Sequence, residues 1–223
     1  EEASYFIIVD KKDFIFFGSA QDHKKVGENE KGLNTGGMGA YSPAPIVNKN
    51  IEKKVIQRII LPTLDFFKKR KKHYTGFLYA GLMIKNNNPY LIEYNVRMGD
   101  PECQVILPRL KSDFVKIVEM SLKNSLKKLK IQWSKKKCMT IVLCSKGYPK
   151  KYKKNIILKK IDKVKIKNNI DIYHAGTKNN NGNVISSGGR VLNITSKGYN
   201  FSKIRQEIIK AIKKIKWKES FFR

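Results

Sequence analysis

Residues 91–102 read Leu91-Ile92-Glu93-Tyr94-Asn95-Val96-Arg97-Met98-Gly99-Asp100-Pro101-Glu102, which is typical of a strand that ends in a turn. Alternate side chains of a strand share a face, so Glu93 and Asn95 are predicted to project together. A carboxylate and an amide oxygen at this spacing are hard ligands that suit Mg²⁺ bridging substrate phosphates. Arg97 would join that face if the strand continued, and could hold phosphate or carboxylate oxygens. An exposed edge strand with ordinary polar alternation would look the same, so spacing alone leaves both interpretations open.

A second segment is rich in glycine. It reads Asn34-Thr35-Gly36-Gly37-Met38-Gly39 and is called the glycine loop below. Three glycines in four positions let backbone N–H groups approach an anion. The segment is neither a Walker A motif nor a dinucleotide-binding GxGxxG motif, and glycine-rich surface turns are common. It lies within Ser19–Pro45, which has few apolar residues and is predicted to be a long loop, a feature that is more often functional than idle.

The hydrophobic pattern predicts an α+β protein. The apolar runs Tyr5–Val9 and Phe14–Phe17 flank a polar turn and predict a β-hairpin. Further predicted strands are Thr75–Ile84, Tyr90–Asn95, Met139–Cys144, Asp171–His174 and Arg190–Thr195. Predicted helices are Ile51–Lys72 with a break or kink at Pro62, Asp113–Leu129 with Ser112 as the cap, and Phe201–Ile215.

The polar stretch Gln132–Lys137 indicates a boundary, which divides the chain into predicted domains 1–132 and 133–223. A chain of 223 residues has room for one large domain or two small ones.

The charge is strongly positive, with 47 Lys and Arg against 18 Asp and Glu, a net +29. Such an excess can indicate binding to nucleic acid. Most of the cations are lysine, however, and lysine recurs with Asn and Ile, as in Lys85–Asn88 and Lys165–Ile170. An AT-rich genome produces that bias, whereas base recognition favours the bidentate fork of arginine. We therefore favour genome bias and keep a basic nucleic-acid-binding module as the alternative function.

Other bulk features exclude several classes of protein. No run of residues approaches the roughly 20 apolar positions of a transmembrane helix, and the chain does not open like a signal peptide. The 3 cysteines are odd in number and lack CxxC spacing, which argues against a disulfide framework or a zinc cluster and predicts a cytoplasmic protein. The stripe of isoleucines in Ile204–Lys218 predicts an amphipathic helix with a solvated lysine face, with a membrane-surface role as the alternative.

Several motifs together resemble the glycinamide ribonucleotide synthetase (phosphoribosylamine–glycine ligase) family of the ATP-grasp superfamily. The resemblance runs in one order along almost the whole chain and includes the metal segment, Glu93–Arg97 with Gly99–Glu102. The other matching segments are Glu1–Ser4, Gln21–Lys24, Asn34–Pro43, Tyr74–Met83, Gly147–Pro149, His174–Lys178 and Gly188–Leu192.

This resemblance implies a fold and a reaction. The expected fold is the C-terminal lobe of an ATP-grasp domain, with a mixed or antiparallel sheet and helices, followed by a small α/β C-terminal domain. ATP would phosphorylate the glycine carboxylate, and the amine of 5-phosphoribosylamine would attack the glycyl phosphate. The products would be glycinamide ribonucleotide, ADP and phosphate. The implied partners are these small molecules, with no nucleic acid and no membrane.

The resemblance also implies roles for individual residues. Glu93 and Asn95 would hold Mg²⁺, or Mn²⁺, on ATP, and Arg97 would stabilise the phosphoryl or acyl-phosphate oxygens. Asp100 would bind the glycine ammonium. The substrate-binding set would be Asp22, Lys24, Asn34, Thr35, Gly36, Gly37, Met38 and Gly39, with the loop N–H groups over the glycine carboxylate and ribose phosphate.

Two departures from the family pattern qualify these expectations. Many ATP-grasp enzymes supply a further carboxylate from the strand before the metal segment, but Gly76–Ile84 has none. The chain also begins after the family's N-terminal domain and adenine-binding hinge, so we expect it to be a fragment. Of the nucleotide-binding groups, only Glu1 and Glu2 would remain.

Overall fold

The structure is a computed structural model, which describes residues 1–161 and 169–223. It divides into two compact units. Unit 1 comprises residues 1–21 and 42–134, and unit 2 comprises residues 22–41 and 135–223. The predicted domains place residues 22–41 in the first segment, whereas the structure assigns them to unit 2. The Met38 carbonyl accepts a hydrogen bond from the Val142 N–H at 2.9 Å, which ties this segment to unit 2.

The elements are as follows in chain order. The strands are β1 (Glu2–Val9), β2 (Phe14–Asp22), β3 (Lys25–Gly27), β4 (Lys31–Asn34), β5 (Gly39–Ser42), β6 (Gly76–Lys85), β7 (Asn88–Asn95), β8 (Lys137–Ser145), β9 (Ile170–His174), β10 (Thr177–Asn180), β11 (Asn183–Ser186), β12 (Arg190–Gly198) and β13 (Ser220–Phe221). The helices are α1 (Lys49–Val55), α2 (Leu61–Lys69), α3 (Cys103–Ile106), α4 (Phe114–Leu122) and α5 (Phe201–Ile212). The α+β fold class is confirmed.

Unit 1 contains an antiparallel sheet in the order β7-β6-β1-β2. The predicted hairpin of β1 and β2 is confirmed, with Val9 opposite Phe14. Odd-numbered residues of β1 and even-numbered residues of β6 form one apolar face, which packs against α1. The buried residues of this core are Ala3, Tyr5, Ile7, Val9, Ile51, Val55, Ile59, Ile60, Leu78, Ala80, Leu82 and Ile84. The opposite face of the sheet carries the polar residues Glu93 and Asn95 of β7.

The helix predicted around Pro62 is continuous but changes its winding. A π-helical turn, Ile56–Ile60, joins α1 to α2, and the Leu61 N–H bonds to the Ile56 carbonyl. Pro62 is the second residue of α2 and directly follows this wider turn; it has no N–H to donate to the preceding turn. The predicted break is therefore accommodated by a wider turn and does not end the helical run.

In unit 2 the strands are hydrogen-bonded in the order β5-β8-β12-β9, with β13 paired to β8. The amphipathic helix α5 packs its isoleucines against these strands, which are called the unit 2 sheet, as the spacing predicts. The buried core consists of Ile141, Leu143, Leu158, Val191, Leu192, Ile194, Ile204, Ile208, Ala211, Ile212, Ile215 and Trp217. In β8, residues Val142 and Cys144 turn away from this core and pack with Met38 of the glycine loop.

Two predicted boundaries are wrong. Ser19–Pro45 is not a long loop, because β2 extends to Asp22 and the segment also forms β3, β4 and β5. The helix predicted over Asp113–Leu129 ends at Leu122, and Asp113 caps it instead of Ser112 by accepting from the Lys116 N–H at 3.1 Å. Asn124 has a positive φ of 53°, a left-handed conformation that stops the helix.

Across the described residues, no helix combines the length and the apolar character that a membrane crossing requires.

Candidate functional site

Glu93 and Asn95 of β7 project from the sheet face opposite α1. Glu93 pairs with Gly81 and Asn95 with Tyr79, so both lie on the face that also carries Ser4 of β1. Asn95 Nδ2 donates to Glu93 Oε1 at 3.1 Å, and this bond is open to solvent. The two oxygen-bearing groups are therefore side by side, as the spacing predicts.

Tyr94, between these two residues, faces the other way. Its hydroxyl lies 2.8 Å from Thr63 Oγ1 and 3.2 Å from the Ile59 carbonyl oxygen, which ties β7 to the helical run. Burial raises the pKa of Tyr94, so it remains a neutral phenol at physiological pH. The alternation of Glu93, Tyr94 and Asn95 thus gives the site strand one anchored face and one open face.

The donor set of Glu93 and Asn95 fits a divalent cation shared with a substrate. A carboxylate and an amide carbonyl are hard oxygen ligands, and among the described residues no cation pairs with the Glu93 carboxylate. Within residues 1–161 and 169–223, no group of three or more His, Cys, Asp or Glu side chains is arranged to hold a metal ion. The β6 residue opposite Glu93 is Gly81, which has no side chain to act as a ligand. The remaining ligands would have to be substrate oxygens and water.

Arg97 and Asp100 follow β7 in an irregular turn. The strand ends at Asn95, so the continuation that would align Arg97 with Glu93 does not occur. Arg97 is exposed and donates to the Met98 carbonyl at 3.0 Å, and exposed Asp100 accepts from Gln104 Nε2 at 2.8 Å. Arg97 and Asp100 therefore both lie just beyond the end of β7. Within the described part of the chain, the guanidinium of Arg97 is not held by a helix or a strand.

Glu102 is a residue of this turn that the sequence reasoning missed. Its side chain is only 3% exposed, and Oε1 lies 2.9 Å from Ser4 Oγ, which also lies 2.9 Å from Tyr79 Oη. A buried carboxylate needs such partners to offset its desolvation. Ser4 pairs with Gly81, which pairs with Glu93, so this contact is two strands, roughly 10 Å, from Glu93.

The glycine loop in unit 2 is held by its own hydrogen bonds. Thr35 N and Oγ1 both donate to the Lys24 carbonyl at 2.7 Å, and Gly37 N donates to Thr35 Oγ1 at 3.0 Å. Met38 N donates to the His23 carbonyl at 2.8 Å. The N–H groups predicted to face an anion are therefore largely engaged, so the loop presents fewer backbone donors than its glycine content suggests.

Two side chains from the C-terminal motifs also bind this loop. Gly36 N donates to Tyr148 Oη at 3.0 Å, and Arg190 Nη1 donates to the Gly36 carbonyl at 2.7 Å. Sequence reasoning noted the motifs that contain Tyr148 and Arg190 but gave neither residue a role. The contacts join positions 112 and 154 residues apart, which no local pattern reveals.

The remaining predicted site residues have mixed surroundings. Asp22 is the last residue of β2, and Lys24, two residues later, supports Thr35 through its backbone carbonyl. Glu1 and Glu2 are exposed at the start of β1, where the Glu1 amino group donates to the Ile84 carbonyl at 2.9 Å. Nothing in these contacts assigns them a ligand.

Cys103 and Cys144 are poor nucleophiles. Burial raises the pKa of Cys144 to about 12 and also raises that of Cys103, for which nearby Asp100 and Glu102 add to the effect. A thiol with a raised pKa holds little thiolate at neutral pH. Cys138 and Cys144 are buried and act as small hydrophobic residues.

Comparisons with known proteins cover both units. The family "Phosphoribosylglycinamide synthetase, ATP-grasp (A) domain" matches residues 1–103, and "Phosphoribosylglycinamide synthetase, C domain" matches residues 138–223. The chain is 44% identical to the chloroplastic phosphoribosylamine–glycine ligase of Arabidopsis thaliana over its whole length, and it is 42% identical to the Vigna unguiculata ligase over 99% of its length. The crystal structure of the Thermotoga maritima ligase superposes with a TM-score of 0.88 at 29% identity, covering 100% of this chain and 55% of that one.

The coverage of the relatives is partial. The chain spans about half the length of most curated relatives that it matches, including 43% of the Arabidopsis protein, but it spans 72% of the Vigna protein. The order of the motifs, the two family matches and the similarity to the Vigna protein all indicate the same enzyme family. The chain therefore belongs to the phosphoribosylamine–glycine ligase family of ATP-grasp enzymes.

Proposed function

We propose that this chain carries part of an ATP-dependent ligase that joins glycine to 5-phosphoribosylamine. ATP would phosphorylate the glycine carboxylate, and the amine would then displace phosphate from the glycyl phosphate to give glycinamide ribonucleotide. The observation that carries this proposal is the Glu93–Asn95 pair on the open face of β7, in a chain of this family. A reaction between small water-soluble substrates also agrees with the predicted cytoplasmic location.

The residues of unit 1 would bind the nucleotide phosphates and the reacting carboxylate. Glu93 and Asn95 would hold Mg²⁺, or Mn²⁺, whose charge would neutralise the phosphate oxygens of ATP. Arg97 would bind the oxygens of the transferred phosphoryl group, since a guanidinium forms strong charged hydrogen bonds to phosphate. Asp100 would bind the glycine ammonium, which orients the carboxylate for attack. Glu1 and Glu2 would contact the ribose of the nucleotide.

The glycine loop of unit 2, with Asp22 and Lys24, would bind the anionic groups of glycine and 5-phosphoribosylamine. Since most loop N–H groups already have partners, side-chain donors at the loop would supply much of this binding. The division into a partial ATP-grasp domain, 1–132, and a C-terminal domain, 133–223, belongs to the same proposal. Nucleic-acid binding is not proposed as a second function, because the net charge of +29 is its sole support.

The complete gene product tests this proposal. ADP formation should require both glycine and 5-phosphoribosylamine, and EDTA should abolish it. ADP formation at the same rate with and without glycine would contradict the ligase reaction. A gel shift at about 150 mM salt should show no retained nucleic-acid complex.

The variant Asn95→Ala tests the metal assignment. We expect kcat/KM for ATP to fall about 100-fold and the Mg²⁺ requirement to rise, because one of two protein ligands is lost. Asn88→Ala, at the other end of β7, is the matched control and should remain near wild type. Unchanged Mg²⁺ dependence in Asn95→Ala would reject this metal site.

A further inference from the structure

The residue of the glycine loop with the most informative contacts is Gly36. Its N–H donates to Tyr148 Oη at 3.0 Å, and its carbonyl accepts from Arg190 Nη1 at 2.7 Å. These bonds hold the two peptide groups on either side of one α-carbon. We call the pair Tyr148 and Arg190 the clamp.

Three C-terminal motifs build the clamp. Gly176 N donates to the Arg190 carbonyl at 3.0 Å, and Gly188 N donates to the Gly176 carbonyl at 3.1 Å, which joins 174–178 to 188–192. The ring of Tyr148 lies on Gly189, where an added Cβ would come within 2.2 Å of the ring. A glycine at 189 is therefore required for the Tyr148 hydroxyl to reach the loop. These contacts give the motifs a shared structural purpose.

The Tyr148 hydroxyl has a donor left over. A phenol that accepts one hydrogen bond keeps its own hydrogen, and within residues 1–161 and 169–223 the Tyr148 hydroxyl donates no hydrogen bond. The ring is half-buried, so its orientation is fixed while the oxygen remains reachable. Because Thr35, Gly37 and Met38 have used their N–H groups, this O–H is a donor that the loop region can still offer to an anion.

We propose that Tyr148 and Arg190 fix the glycine loop for the phosphate or carboxylate of a substrate, and that the Tyr148 O–H also donates to that anion. This inference rests on the proposed ligase function. It makes the Gly147–Pro149, His174–Lys178 and Gly188–Leu192 motifs part of substrate binding. The phosphate source would be 5-phosphoribosylamine and the carboxylate source would be glycine, and the two have separate kinetic constants.

The test uses Tyr148→Phe in the complete protein, which removes one oxygen and keeps the ring. Hydrogen exchange of the loop amides, measured without substrate, should become about 10-fold faster. The KM for 5-phosphoribosylamine or for glycine should rise about 10-fold, and the KM for ATP should change less than twofold. The affected constant identifies the anion. Arg190→Ala should have the same effects, with partial rescue in Arg190→Lys.

Tyr152→Phe is the matched control, since its ring lies 6.2 Å from that of Tyr148 and it makes no contact with Gly36. It should leave exchange and all three KM values unchanged. The proposal is overturned if Tyr148→Phe lowers only thermal stability, or raises only the KM for ATP. A wild-type protein that forms no glycinamide ribonucleotide overturns the proposed function instead, and the exchange experiment still decides whether the clamp holds the loop.

Discussion

The β7 face and the glycine loop differ in how they present polar groups. On β7 the groups are side chains of Glu93 and Asn95, which bond to each other and face solvent. In the glycine loop the groups are backbone atoms, and Lys24, Thr35, Tyr148 and Arg190 already bind them. A site made of side chains can lose a functional atom without loss of fold, whereas a site made of backbone depends on its neighbours for its shape.

The largest expected effect is on activity at β7. Glu93→Gln should lower kcat/KM roughly 1,000-fold, because a neutral amide replaces the charged metal ligand. The melting temperature should hardly move, since Glu93 is exposed. Steady-state kinetics and thermal unfolding measure the two quantities. Glu119→Gln, at an exposed acid of α4, is the control, and a melting temperature that falls in Glu93→Gln would break the comparison.

The second effect is on stability, in the turn beside that strand. Glu102→Ala should lower the free energy of unfolding by about 3 kcal/mol, because it leaves Ser4 and Tyr79 with a cavity in place of a buried acceptor. Urea denaturation measures the loss. Glu102→Gln retains an acceptor oxygen, so its free energy of unfolding should fall by less than that of Glu102→Ala. Equal losses in both variants would show that the charge, and not the hydrogen bond, matters.

A smaller effect is expected inside the loop. Thr35→Val removes the hydroxyl that donates to the Lys24 carbonyl and accepts from the Gly37 N–H. The free energy of unfolding should therefore fall by about 1 kcal/mol. Thr35→Ser keeps the hydroxyl and should stay close to wild type. Exchange of the Gly37 amide reports the local change. If Thr35→Val leaves that amide as protected as before, the loop does not depend on this bond.

The smallest effect concerns pH. The hydrogen bond from Arg223 lowers the pKa of Glu30, and His23 adds to this. A depressed carboxyl pKa stabilises the fold above the ordinary value of about 4.3 and loses that contribution as pH falls through the lower folded value. Because Glu30 is exposed, the contribution is about 0.5 kcal/mol. The melting temperatures of wild type and Glu30→Gln should differ slightly at pH 6 and converge towards pH 3; a constant difference contradicts the pair.

The sequence predicted the strands that have strong apolar or alternating patterns. β1, β2, β6, β7 and β8 all lie where expected, because burial selects apolar side chains at a period of two. The shared face of Glu93 and Asn95 follows from the same period. The short strands β3 and β4 were missed, because Lys25–Gly27 and Lys31–Asn34 bury little and are defined by backbone pairing.

The contacts that complete the candidate site were beyond local patterns. Glu102 contacts Ser4 across 98 positions, and Tyr148 contacts Gly36 across 112. Such pairs depend on how strands are ordered in a sheet, which periodicity does not encode. The engagement of the loop N–H groups was likewise unpredictable, since glycine content shows where a backbone can approach a ligand but not what already binds it.

The buried turn after β7 has a consequence for how the sequence can change over time. An added Cβ at Gly99 would lie 2.3 Å from Glu102 Oε2, and Glu102 in turn needs the hydroxyl of Ser4. A change at Glu102 removes the reason for the other two, and a change at Gly99 or Ser4 disturbs the placement of the Glu102 carboxylate. Ser4, Gly99 and Glu102 should therefore be inherited as a set, so that natural variants exchange all three or none.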